Sequence, residues 1–134
     1  MKPRSILMLP TVALLTACAT ENTMPEAGEG AVLFAQNCAV CHGGDAKGGP
    51  LANGQRAPDL THIAERNGGF FPRAQVLSQI DGYGRGKASA SMMPQFGALL
   101  EGETVPVEVD GTLTPTPRPL AALLAYLESI QING

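Results

Sequence analysis

Apolar positions recur at helical spacing from Gly28 onward. Gly30, Leu33, Phe34, Asn37, Cys38 and Cys41 fall at i, i+3, i+4, i+7, i+8 and i+11, which predicts a helix leading from near Gly28 into Cys38-Ala39-Val40-Cys41-His42. Gly30 in mid-helix costs about 1 kcal/mol against alanine, so its use points to a close helix crossing or to simple tolerance. The pattern resumes at Ala57-Pro58-Asp59-Leu60-Thr61, where Asp59 or Thr61 is placed to cap a short helix through about Arg66, ended by Asn67-Gly68-Gly69. Pro72 opens a further helix at its first turn, with Val76, Leu77 and Ile80 on one side and Asp81-Gly82 as its stop. Pro119 starts a closing amphipathic helix carrying Leu120, Leu123, Leu124, Leu127 and Gln131. Side chains alternate over 104–109 and 112–115 about Asp110-Gly111, a two-residue hairpin signal, and Pro106 and Pro115 confine these strands to an edge. Gly43 to Gly49 and Tyr83 to Ser91 keep no periodicity and read as loops. The expected fold is mainly α, with four or five helices and a short β-hairpin near 104–115.

The amino terminus reads differently. Lys2 and Arg4 precede an apolar run through Val12-Ala13-Leu14-Leu15 that is too short for a permanent membrane span, so residues 1–17 are expected to be a processing segment. It ends in Leu15-Thr16-Ala17-Cys18, which resembles a bacterial lipobox, with Cys18 as the lipidated first residue of the mature chain. The alternative is an ordinary signal peptide cut near Ala17 or Ala19. Residues 18–27 read as a flexible tether without packing, and 28–134 as one domain. Losing Lys2 and Arg4 leaves seven basic residues against twelve acidic ones, a formal charge of −5. Nucleic acid is a poor partner for such a chain.

Cys38-x-x-Cys41-His42 is a c-type haem attachment signature. On a helical turn the two cysteines share a face, and His42 stands four after Cys38 on the same side. Both thiols can then form thioethers to one porphyrin edge while the imidazole reaches the iron. A structural disulfide, a thioredoxin-like pair and half a zinc site compete with this reading. A zinc site needs about four ligands, yet the one other cysteine is Cys18. A thioredoxin-type pair expects a βαβ setting, and none is visible. Aromatic residues make up only 4% of the chain and tryptophan is absent, so a flat macrocycle would fill core volume that side chains do not. For the sixth iron position the sequence offers His62, Met92 and Met93. The glycines after His42 do not read as a phosphate cradle, since no strand precedes them and no GK[ST] follows.

Taken together, Cys38-x-x-Cys41-His42-Gly43, Pro58-Asp59-Leu60, Met93-Pro94 and a closing helix with Tyr126 resemble a monohaem class I cytochrome c over roughly residues 28–132. The resemblance implies a cytochrome c fold, four to five helices wrapped around one covalently bound haem c. Cys38 and Cys41 would be the thioether positions, His42 the proximal ligand and Met93 the distal one, with Met92 as the alternative. Pro58 would accept the proximal imidazole N–H through its carbonyl, and Gly30 and Phe34 would cross the last helix near Tyr126. The 97–119 segment, longer than the minimal family pattern, would cap the methionine side of the haem or form a docking surface. Arg56, Tyr83 and Arg118 are candidate propionate partners.

The expected function is one-electron transfer in a periplasmic respiratory or related chain, without enzymatic activity, between redox protein partners and on a membrane tether through Cys18. Alternatives are a haem subunit of a larger dehydrogenase or oxidase complex and a gas-binding or peroxidatic haem protein.

Overall fold

The computed structural model describes residues 23–83 and 93–132. The expected leader, Cys18 and Met92 lie outside them. Among the described residues five α-helices and one hairpin follow in the order α1 (Ala27–Asn37), α2 (Ala39–His42), α3 (Ile63–Arg66), α4 (Arg73–Asp81), a 3-10 turn (Gly97–Leu99), β1 (Thr104–Val109), β2 (Thr112–Pro117) and α5 (Arg118–Ser129). Among the described residues no helix is long and apolar enough to cross a membrane.

Several helix ends differ from expectation. The first helix ends at Cys38, whose N–H donates to Phe34 O at 2.8 Å and whose φ is −115°, and Cys38 is also the N-cap of α2. Neither Asp59 nor Thr61 caps α3. Asp59 Oδ1 instead accepts from Thr61 N (2.8 Å) and Thr61 Oγ1 (2.6 Å), an Asx turn that competes with capping, and His62 takes the N-cap position without a side-chain bond to the helix backbone. Pro72 is the N-cap of α4 rather than its first helical residue. At the other end Gly82 adopts the left-handed conformation, φ 91°, and donates to Ser78 O at 2.9 Å. Within the span expected to lie free of packing, Pro25 is buried and Met24 packs against the core.

α5 is the centre of the molecule. Leu120, Ala121, Ala122, Leu123, Leu124 and Leu127 are all buried on it, each leucine contributing about 1.5–3 kcal/mol of transfer free energy. α1 crosses it at Gly30, where a Cβ would overlap the carbonyl of Ala122 and lie 2.7 Å from Tyr126 Cβ. One turn on, the rings of Phe34 and Tyr126 meet with centroids 5.1 Å apart. The glycine anticipated as costly is therefore what lets the two helices touch.

The hairpin forms as its sequence predicts, with Asp110 (φ 50°) and Gly111 (φ 81°) both in the positive region of a type I′ turn. β2 runs on to Pro117, beyond the expected strand end. Val105 and Val107 face inward and join the α5 leucines in the core, whereas β2 buries only Thr116. Counting the ladder from the Val109–Thr112 pair, Pro106, Pro115 and Pro117 all fall at non-hydrogen-bonded positions, so each missing N–H points to an outer edge. Arg73 locks the turn end in place. Its Nε and Nη2 grip the Glu128 carboxylate at 2.6 and 3.1 Å while Nη1 donates to Glu108 O at 2.8 Å, and this pairing raises the guanidinium pKa further.

Candidate functional site

His42 is 7% exposed and closes α2. Its N–H reaches Cys38 O at 3.0 Å, so the short helical turn that keeps Cys38, Cys41 and His42 together survives the break in α1. In the ring, Nδ1–H donates to Pro58 O at 3.2 Å, the contact the resemblance implied. A carbonyl oxygen only accepts, so Nδ1 holds a proton and the lone pair of the neutral ring is on Nε2, which has no hydrogen-bond partner among the described residues.

Pro58 is brought there by the glycine loop, a role the sequence reading did not assign. Gly48 N–H donates to His42 O at 2.7 Å, and at φ 79° a Cβ on this residue would overlap Ala57 O and sit 3.0 Å from Pro58 O. Ala57 N–H donates to Gly49 O and Leu60 N–H to Ala46 O, both at 2.8 Å. The loop is thus a spacer between the histidine turn and the Pro58 segment, with only a glycine's thickness at Gly48.

The two thiols are half-buried and not joined in a disulfide. Burial, and then the neighbouring Cys41, push the Cys38 thiol up to about 11. That is the reverse of the depressed pKa a thioredoxin-type nucleophile needs. With no group of three His, Cys, Asp or Glu side chains gathered for a metal ion among the described residues, the zinc reading loses its remaining ligands.

Cys38, Cys41 and His42 open onto a cavity of about 810 Å³, within the range of about 300–1,000 Å³ usual for cofactor sites. Phe34, Leu60, Ile63, Val76, Ile80, Leu123 and Leu127 give it apolar walls. Met93 lines the same cavity beside Pro94 and Phe96, and Gln79 Nε2 donates to its sulfur at 3.7 Å. His62 does not line it. Its Nδ1 lies 3.2 Å from Asp59 Oδ2 and 3.0 Å from Thr61 Oγ1, which accounts for that residue locally. Arg56 and Tyr83 are on the rim, but Arg118 is not; it pairs with Glu29 of α1 at 2.9 Å. No residue of the 97–119 segment lines the cavity, so the hairpin packs behind α5 instead of capping the methionine side.

Gln131 is expected on the closing helix from its spacing. It lies two residues past the end of α5 and clasps the cavity floor: Oε1 accepts from Ala64 N at 2.9 Å, while Nε2 donates to Leu60 O at 2.8 Å and Leu127 O at 2.6 Å. Ile132 N–H adds a bond to Thr61 O at 2.9 Å. Two of the Gln131 partners, Ala64 and Leu60, are 67 and 71 residues away in the chain, so no local pattern announces those bonds.

The donor set fits a covalently held haem: an imidazole with its Nε2 facing no hydrogen-bond partner, two unbonded thiols one helical turn apart, a thioether and walls that are mainly apolar, with Asn37, Arg56 and Gln79 among the polar residues. No curated protein and no solved structure matches the chain. A family model described as Cytochrome c matches residues 27–131. That span takes in α1, the Cys38–His42 turn, the cavity, the hairpin and α5, and the chain accordingly belongs to the cytochrome c family, mainly helical haem-based electron-transfer proteins with covalently bound haem c.

Proposed function

We propose that this chain is a one-electron carrier holding a single haem c between His42 and Met93, with Cys38 and Cys41 as the thioether positions. The observation that carries the reading is the shared cavity: His42, oriented by Pro58, and Met93 both line it, and His62 does not. When bound, the haem supplies the iron that cycles between Fe(II) and Fe(III). The chain's part is to set that balance. A soft thioether and an apolar enclosure favour the less charged Fe(II) state, and the Pro58 carbonyl fixes the imidazole tautomer. Val40, between the two cysteines, is 90% exposed, which supports electron exchange through the cofactor edge at the attachment turn.

The carrier serves a respiratory or related chain in the bacterial periplasm, tethered to a membrane through lipidated Cys18, with redox proteins as donor and acceptor. An acidic chain meets a basic partner face most readily, and such docking weakens with salt. The test is Met93→Ala in the haem-loaded protein: the methionine-to-iron charge-transfer band disappears and the reduction potential falls. An unchanged visible spectrum rejects Met93 as the ligand. For the tether, Cys18→Ala releases haem-loaded protein into the soluble periplasmic fraction, and retention on membranes after a high-salt wash rejects the lipid anchor.

A further inference from the structure

The chain returns to the cavity wall beside Met93 through a crossing with the end of α4. Phe96 N–H donates to Ile80 O at 3.0 Å. On either side of that bond stands a glycine with no room for a side chain. A Cβ on Gly82, whose φ is 91°, would overlap Gln95 Cγ and lie 2.7 Å from Gln95 Cβ. A Cβ on Gly97 would lie 2.5 Å from Asp81 Oδ1 and 3.0 Å from the Asp81 backbone oxygen. Residues 80, 81 and 82 thus meet 96, 97 and 95 in a closed clasp.

We propose that Gly82 and Gly97 are positioning residues for Met93, the clasp fixing where its sulfur enters the cavity. The inference rests on the reading of Met93 as an iron ligand. Only Pro94 and Gln95 separate Met93 from the anchored Phe96, and proline locks φ near −65°. Few torsions therefore remain to absorb a shift of the clasp, and displacement at Gly97 is passed to the methionine. Gln79, on α4 before the clasp, donates to the Met93 sulfur and ties both sides of the crossing to one ligand.

The test compares haem-loaded Gly97→Ala with Val107→Ala, a core substitution on the hairpin that does not touch the cavity. Gly97→Ala is expected to lose most of the methionine-to-iron charge-transfer absorbance and to lower the reduction potential, with thioether-bound haem content unchanged. Val107→Ala is expected to lose denaturation stability with band and potential intact. Adding Asp81→Ala to Gly97→Ala removes the carboxylate contact and restores part of the band; the same double variant serves if Gly97→Ala does not load haem. Gly97→Ala keeping both band and potential overturns the positioning role while Met93→Ala still abolishes the band. If Met93→Ala leaves the spectrum unchanged, the ligand assignment falls and the positioning role falls with it.

Discussion

Gly30 on α1 presses directly against the backbone carbonyl of Ala122 on α5, and the rings of Phe34 and Tyr126 meet one turn further along at an interplanar angle of 47°. The two helices touch backbone to backbone at this crossing, and α1 delivers Cys38 to the cavity from it. The Arg118–Glu29 pair beside it is partly exposed and adds little; contact at the glycine sets the distance.

Gly30→Ala separates two effects of opposite sign. Helix propensity gains about 1 kcal/mol, whereas overpacking at a filled contact costs about 1–3 kcal/mol and more when backbone is the obstacle. A net loss of stability is expected in denaturant melts of the haem-loaded protein. A more stable variant would show that the helices separate at no cost.

Gly30 was legible because its spacing put a poor helix former on the face that leads to the cysteines. Asp110-Gly111 was legible for a similar reason: the two-residue turn chemistry is local. The ends of α3 and α4 were not. Asp59 has two competing local uses, capping and an Asx turn, and tertiary packing of the Pro58 segment chose the second. Gln131 falls at the spacing of the closing helix, but its bonds to Ala64 and Leu60, like the close approach of Gly48 to the Ala57–Pro58 backbone, leave no trace in periodicity. The hairpin's existence could be read, but not the side of the molecule it covers, since Val105 and Val107 match any apolar surface.

Gly48→Ala introduces a Cβ into the Ala57–Pro58 backbone at a positive φ, a conformation costing roughly 1–3 kcal/mol for a non-glycine residue. The His42–Pro58 bond should lengthen or break. Because that bond makes the imidazole a stronger donor, its loss is expected to raise the reduction potential and to speed exchange of the His42 Nδ1 proton. Redox titration and proton NMR check both, and an unchanged Nδ1–H resonance would show that Pro58 holds its place without the glycine.

Gln131→Leu removes one acceptor and two donated bonds from the cavity floor. Each net bond is worth about 0.5–1.5 kcal/mol, so a loss of roughly 1.5–4.5 kcal/mol is expected for the three. Hydrogen exchange at the Ala64 amide should accelerate more than at the Leu124 amide; equal acceleration would mean general weakening in place of a lost clasp.

Asp59 gives a pH dependence of known sign. Hydrogen bonds from Thr61 hold its carboxyl below the usual 3.8, with smaller help from His62. Its stabilising contribution is complete above that value and fades as pH falls through the lowered pKa. Asp59→Asn should therefore reduce stability at neutral pH and narrow the gap to the parent chain below about pH 4. A gap that stays constant down the acid range would remove the carboxylate from the account.

The three prolines of the hairpin reach beyond its own stability. With Pro106 on one margin and Pro115 and Pro117 on the other, each outer rim lacks donors where an incoming strand would zip on. A long arm can thus be carried on the back of α5 without inviting another chain to extend the sheet. What the arm offers in place of a continuous row of donors is side chains such as the exposed Leu113.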